Sequence, residues 1–370
     1  MAFERMENPG EYRLVINASE QKHAGAVWID STPRNLFDQN RITLQEDVHN
    51  IFTGGDIFRF QGMYMSGGGE PDADSIYLSY QAPVGTEGAY AEFSIADYET
   101  ETQMRGRSTS VISNTGFTIV PGAVTNHDFE GQAASLTVGY PVLRNHDHSK
   151  YIVAEIDYND DKTTSVGDTE TWAGDLTWFQ DYHSPDGSSL AFGVSLGGGY
   201  TDSYIDSDDG NFHHLQAGVG YIHPLTDWSA TTELRFEMYG QLGSNDTPNS
   251  KLFGLGGTDF LRGYDSSALM GNSGLAGTVE LAKGYYFTDE TVAYAAPYVF
   301  LDFGAVKNPS DRSNASNRPD DGELASIGFG TRIGLRNAVS LEGYVAQPLM
   351  DDHNGDTPSA TAYLKATWSW

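Results

Sequence analysis

From residue 24 onward the chain repeats one pattern. Apolar and polar residues alternate over runs of about 8–13 residues, and each run ends in a cluster of Gly, Asp, Asn, Pro or Ser. The runs fall at 24–31, 41–48, 57–65, 74–84, 89–100, 132–144, 151–163, 172–183, 189–202, 212–225, 229–243, 275–287, 294–307, 324–335, 339–350 and 360–370. A period of two predicts strands, and this list predicts about sixteen. One further strand-like run, 12–18, precedes them. Capped helical periodicity is absent. Tight connectors such as 53–56, 85–88, 184–187 and 337–338 alternate with longer ones such as 32–40, 66–73, 105–129 and 309–323. An even strand count with alternating short and long connectors is the rhythm of an up-and-down outer-membrane barrel.

Strand parity sorts the side chains into two faces. In the last run Leu364, Ala366, Trp368 and Trp370 share one face, and Tyr363, Lys365, Thr367 and Ser369 share the other. The first face suits lipid, and the chain ends on an aromatic residue of it. In 294–307 the lipid-suited face is Val299, Leu301 and Phe303, so Tyr298, Phe300, Asp302 and Gly304 point into the lumen. In 275–287 Val279 and Leu281 face out and Glu280 faces in. In 324–335 Ile327, Phe329 and Ile333 face out, leaving Arg332 inside between Gly328 and Gly330.

Composition agrees with this picture. Aromatics make up 12% of the 370 residues, with 21 Tyr, 18 Phe and 42 Gly. A mean hydropathy of -0.42 is compatible with a barrel, which faces lipid with alternate residues only. No apolar run approaches the roughly 20 residues a membrane helix needs. The absence of Cys excludes disulfides and Cys-ligated metal. A net charge of -30 leaves no basic surface to neutralise phosphates, which argues against nucleic acid. The acid is spread through predicted loops, as at Asp206, Asp208, Asp209, Asp320 and Asp321, where it reads as a solvated surface. Met1 to Gly10 has no apolar core of signal-peptide type, so an outer-membrane chain starting here reads as a mature fragment.

Between 243 and 275 lies the longest Gly-rich stretch with chemistry in it: Leu252-Phe253-Gly254-Leu255-Gly256-Gly257-Thr258-Asp259-Phe260-Leu261-Arg262-Gly263-Tyr264. Arg262 stands among Phe260, Leu261 and Tyr264. An arginine on such an apolar tip suits a confined lumen, where its planar fork can take a carboxylate bidentately. The bland reading of an isolated Arg-Gly-Tyr is an ordinary surface arginine.

The motif Phe-x-x-Gly-Gly-x-x-x-Leu-Arg-Gly-Tyr, with Phe300-Leu301-Asp302-Phe303-Gly304 about forty residues on, resembles the signature of the outer-membrane assembly and two-partner-secretion transporter superfamily. The haemolysin-activator branch is the best fit. Gly54-Gly55-Asp56, Leu78-Ser79-Tyr80-Gln81-Ala82-Pro83-Val84-Gly85, Ser326-Ile327-Gly328-Phe329-Gly330-Thr331-Arg332 and Ala346-Gln347-Pro348-Leu349 agree with it. The resemblance implies an all-β fold: a transmembrane antiparallel barrel of about 16 strands, with a long loop folded into the lumen. It implies that Arg262, with Gly263 and Tyr264, locks that loop to the inward Asp302, flanked by Phe300 and Gly304. Glu280 is a possible second acceptor, and Arg332 a further lumen charge. It implies export of an unfolded partner protein without nucleotide or cofactor, from a site in outer-membrane lipid and lipopolysaccharide. It also implies a monomer inserted by the outer-membrane assembly machinery, which would read the terminal Trp368 and Trp370. Three departures stand out. Leu261 occupies a position where Val or Ile is commoner. The last residue is Trp, not Phe. No periplasmic POTRA domains precede the barrel; residues 1–23 resemble the closing piece of one, and 24–370 the barrel, as in a fragment or a naturally POTRA-less member.

Other candidate sites carry less. His146-Asp147-His148 sits in a predicted turn, and His213 and His214 alternate across a strand, so solvated histidines are expected rather than a metal site. No Gly-x-Ser-x-Gly elbow occurs. Gly197-Gly198-Gly199 lies within a strand with no helix behind it, which predicts a bend or a close wall contact and not a phosphate loop. Asp351-Asp352 falls in an outer loop, where any cation or lipopolysaccharide bridging would be weak. The competing functions are an insertase or lipase-linked secretion barrel of the same superfamily, a passive porin, and a soluble all-β binding protein.

Overall fold

The computed structural model describes residues 2–5, 12–15, 21–31, 40–67, 70–100, 109–113, 116–120, 129–163, 167–203, 209–226, 228–229, 231–265, 268–288, 290–308, 321–351 and 358–370. Its centre is a closed antiparallel barrel. The strands, numbered around the wall, are β1 (His23–Ser31), β2 (Asn40–His49), β3 (Ile57–Gly67), β4 (Glu70–Val84), β5 (Ala89–Thr100), β6 (Phe129–Arg144), β7 (His148–Thr163) and β8 (Gly167–His183). They continue as β9 (Ser189–Ser203), β10 (Gly210–Pro224), β11 (Thr232–Gly243), β12 (Ser273–Lys283, extended past Gly284 by Tyr285–Tyr286), β13 (Val292–Lys307), β14 (Asp321–Leu335), β15 (Val339–Pro348) and β16 (Thr361–Ser369). Each pairs with its sequence neighbours, and β16 closes on β1 through the register Lys365↔Asp30 to Ser369↔Ala26. The seam is extended by Gly25 and Trp370, which exchange backbone hydrogen bonds of 3.2 and 3.0 Å. An even strand number lets the first and last strands meet antiparallel, so no edge is left open to lipid.

The outer wall is apolar. Ile29, Leu136, Trp172, Leu176, Leu196, Val299, Leu301, Phe329, Leu364 and Trp368 all present large hydrophobic side chains outward. So long a girdle of exposed apolar groups fits a bilayer and would be an aggregation surface in water. The residues between them point inward and are polar or small: Thr171, Ser195, Thr201, Glu280, Asp302 and Ser326 are all buried. Among the described residues no helix is long and apolar enough to cross a membrane.

The sheet runs further than the apolar alternation suggests. β3 and β4 reach Gly67 and Glu70, which pair, so the expected 66–73 loop is mostly strand. β8 begins at Gly167, five residues before its apolar run, because polar residues above the lipid belt keep the ladder going. Within the expected irregular loop 105–129, Thr109–Ser113 pairs with Gly116–Val120. Tyr12–Val15 pairs with Ala2–Arg5 in a separate hairpin and not with the barrel. The acidic residues Asp206, Asp208, Asp320 and Asp352, and Ala18, Ser19 and Glu20, lie outside the described residues.

At the end of the wall that carries both barrel termini, the β2–β3 turn is built on one carboxylate. Asp56 accepts from the backbone N–H groups of Ile51 (2.6 Å), Phe52 (2.8 Å) and Thr53 (2.6 Å) and from the Tyr80 hydroxyl (2.8 Å). Its enclosure works against ionisation, but the donors from Thr53, Tyr80, Phe52 and Ile51 outweigh it and hold the carboxyl down at about 2.

Candidate functional site: a loop locked inside the barrel

The stretch between β11 and β12 turns inward. Phe253–Leu255 pairs with Leu269–Gly271 as a short ribbon, and the chain between them forms the tip. Gly256 (φ 106°) and Gly257 (φ 105°) start the tip in a region that side chains with a Cβ rarely adopt. A Cβ on Gly256 would also collide with the Asp265 carbonyl oxygen. The tip is stitched internally by Gly257 N–H to Tyr264 O (3.2 Å) and Tyr264 N–H to Leu261 O (2.9 Å).

Apolar packing holds the loop against the wall. Phe253, Leu255, Phe260, Leu261, Tyr264 and Leu269 form one buried cluster with Ala276 of β12, Val306 of β13 and Leu324 of β14. Each leucine so buried contributes roughly 2 kcal/mol. Gly304 of β13 is the landing point: a Cβ there would stand 2.7 Å from Leu255 Cδ2 and 2.9 Å from Leu261 Cδ1. Leu261 itself is fully buried with φ 61°, the left-handed region. An unbranched Cβ tolerates that conformation better than Val or Ile would, which gives this chain a physical reason for its leucine.

Arg262 follows directly. Its backbone N–H donates to Asp302 Oδ2 at 2.9 Å, and its Nε and Nη2 donate to Oδ2 and Oδ1 at 3.0 and 2.8 Å. Nη2 also donates to Thr278 Oγ1 (2.8 Å), and Nη1 to Glu280 Oε2 (3.3 Å). The guanidinium carbon lies 3.4 Å from the centre of the Phe300 ring. Phe300 can lie flat because Gly328 beneath it has no Cβ to lift it. Arg262 is 5% exposed and Asp302 0%.

Further bonds tie the tip to β14, to β16 and to Met350 just beyond β15. Ser326 of β14 donates to Asp302 Oδ2 and accepts from Gly263 N–H, both at 3.3 Å. The Tyr264 hydroxyl lies 2.9 Å from the carbonyl oxygens of Ala325 and Met350 and accepts from Met350 N–H at 3.1 Å. Thr361 of β16 donates to the Arg262 carbonyl at 2.8 Å. Glu280 then links to a second arginine: Arg332 Nη1 and Nη2 donate to its two oxygens at 2.6 and 3.1 Å, while Arg332 Nε donates to Glu342 at 3.1 Å. The result is an alternating chain of charge, Asp302–Arg262–Glu280–Arg332–Glu342, inside the wall.

Arg262, Gly263, Tyr264, Asp302, Phe300, Gly304, Glu280 and Arg332 thus meet at one place. Trp368 and Trp370 do not: they pack against each other at 4.9 Å on the lipid side of the wall, with Trp370 Nε1 donating to Glu46 at 3.0 Å. Thr278, Tyr344, Glu342 and Thr361 complete the surroundings, and nothing in their local patterns marks them; Ser326 is marked only as the first residue of the 326–332 motif. His213 is exposed, whereas His214 is buried in the lumen with Nε2 2.8 Å from Asp175 Oδ1, so the expectation of solvated histidines fails for it. Gly197 makes room for that pair: a Cβ there would collide with both partners. Among the described residues no group of His, Asp or Glu has the arrangement of a metal site.

A closed sixteen-stranded barrel with an apolar belt, a polar lumen and a loop drawn inside has the architecture of an outer-membrane β-barrel. The chain belongs to the haemolysin secretion/activation protein family ShlB/FhaC/HecB, whose model matches residues 10–333. That family is a bacterial outer-membrane one. Among solved structures, the chain is similar to CdiB from Acinetobacter baumannii, at 16% identity over 95% of this chain and 60% of that one, with a TM-score of 0.71. It is similar to CdiB from Escherichia coli at 14% identity, over 96% of this chain and 64% of that one, with a TM-score of 0.74. BamA from Haemophilus ducreyi lacking POTRA domains 1–3 matches at 14% identity over 94% and 71% of the two chains, with a TM-score of 0.63. At these identities the likeness is one of fold. The chain spans under two thirds of the two CdiB chains. No curated protein sequence matches it.

Proposed function

We propose that this barrel exports an unfolded partner protein across the outer membrane, as a two-partner-secretion transporter, and that it is not an enzyme. The observation that carries this reading is the loop drawn into the lumen and tied there by Arg262 through three hydrogen bonds to Asp302. A passive porin has no need of a plug with its own apolar core, and membership of the haemolysin secretion/activation family favours export over insertion or lipase-linked secretion. In this reading the loop occupies the pore, and the Arg262–Asp302 pair holds it in its working position. Phe300, Gly263, Gly304 and Tyr264 shape the seat, and Glu280 and Arg332 balance its charge. Trp368 and Trp370 serve recognition by the assembly machinery, and the barrel works as a monomer in lipid and lipopolysaccharide. The residues before His23, where the first barrel strand begins, act as a segment apart from the barrel, related to a POTRA domain, so the boundary expected between 23 and 24 falls one residue earlier.

The test is co-expression in a bacterium with a large secreted protein encoded next to this one. The partner is expected in the medium only when the barrel is present. Retention of every such partner inside the cell, with the barrel correctly assembled, refutes the reading.

A further inference from the structure

The loop has a second tie, at its shoulder. A short 3-10 turn, Asn249–Lys251, precedes the ribbon. The Lys251 carbonyl accepts from Gln241 Nε2 of β11 at 2.8 Å, and the same amide nitrogen donates to Asn272 O at 3.1 Å, so both legs of the loop are held beside β11. The Lys251 ammonium points the other way. It donates to Asp157 Oδ1 of β7 at 2.6 Å, and both side chains are 8% exposed.

β7 and β11 are separated by β8, β9 and β10. Four interstrand spacings correspond to roughly 19 Å of wall. Lys251, held by its carbonyl beside β11 and by its ammonium on β7, therefore bridges the lumenal face of the three strands between them. Under that span lies the Asp175–His214 pair. Glu155, Asp157 and Asp161 share one face of β7, and Asp175 of β8 stands opposite Glu155. Among the described residues, Lys251 is the one lysine or arginine in an ion pair with this group of acids.

We propose that Lys251 is a second positioning residue for the loop, and that its bond to Asp157 is the tie that closes the pore. The two ties differ in kind. Arg262 fixes the tip to wall it already lies against, through a planar fork and a backbone N–H. Lys251 holds the shoulder that bridges β11 and β7 across the lumenal face, through one ammonium, which is a point charge and geometrically less demanding. A passing chain needs that shoulder moved aside, and the weaker tie gives first. The loop then folds back toward β12–β14 with the Arg262 lock intact. This consequence for transport rests on the export reading; the tie itself does not.

Single-channel recording of the purified protein in planar bilayers tests it. Lys251→Met and Asp157→Asn are each expected to raise the ratio of open to closed time about tenfold, a figure reduced from that of a fully buried pair because the lumen is hydrated. The exchanged pair, Lys251→Asp with Asp157→Lys, is expected to return most of the way to the parent ratio. Asp157→Asn keeps shape and guards against a folding defect, which heat-dependent gel mobility reports. Parent-like conductance in both single variants, or an exchanged pair no quieter than the singles, overturns the proposal. Export is scored on the same variants. Altered conductance with no export by the parent protein refutes the transport reading alone, and unaltered conductance with normal export refutes the tie alone.

Discussion

Arg262 meets Asp302 through its backbone N–H as well as its guanidinium, at 2.9, 3.0 and 2.8 Å, so one carboxylate fixes both the path of the loop and the direction of its side chain. Removing the side chain leaves Asp302 enclosed with only Ser326 and the loop backbone as donors. The loss is expected to approach the 3–5 kcal/mol typical of breaking a buried pair, lowered by lumenal water to about 2–3 kcal/mol. Because the two residues share this carboxylate, Arg262→Ala and Asp302→Ala are expected to be non-additive by about 1–2 kcal/mol in a double-mutant cycle on loop protection from protease. Simple additivity contradicts the lock.

Gly263 has no room for a side chain. A Cβ would stand 2.8 Å from Ser326 Cβ and 3.0 Å from the Pro348 nitrogen. Because one of those neighbours is backbone, Gly263→Ala is expected to lift the tip from β14 at a cost of about 1–3 kcal/mol. Limited proteolysis at the tip should become faster while heat-dependent gel mobility stays that of a closed barrel.

Leu261 supplies a test of backbone strain. At φ 61° a β-branched side chain is a stronger outlier than leucine. Leu261→Ile, of equal volume, is expected to weaken loop seating by about 1–2 kcal/mol. The same exchange at exposed Leu364, on the lipid face, is expected to be silent in the same protease assay.

The β2–β3 turn predicts a pH dependence. The Asp56 carboxyl is held down at about 2, below its ordinary value of 3.8. A group depressed on folding contributes stability that is present above the unfolded value and lost as pH falls through the folded one. The turn should therefore be fully stabilised above about pH 4 and progressively loosened between about pH 4 and pH 2. Asp56→Asn should remove that window, as followed by amide exchange at Ile51, Phe52 and Thr53. An unchanged acid profile in the variant would count against Asp56 as its source.

Much of this architecture is legible in the alternation of residues, for a physical reason. A wall between lipid and lumen must send every second side chain to each, so parity alone puts Val299 and Leu301 outside and Asp302 and Glu280 inside. Strand ends are less legible, because polar residues such as Asp168 and Glu170 continue the ladder beyond the lipid belt without any periodic mark. Least legible are the partners chosen by the folded loop. Thr278, Ser326 and Thr361 are ordinary inward positions until Arg262 arrives beside them. Lys251 and Asp157 stand 94 residues apart, and only the inward fold of the loop brings them together.

If the loop held inside the barrel by Arg262 governs export, breaking that hold must show in secretion itself. Secretion of the partner by the Arg262→Ala variant, measured beside heat-dependent gel mobility of the barrel, tests it most directly. The barrel is expected to assemble normally and secretion to fall at least severalfold. Normal assembly with undiminished secretion would contradict it.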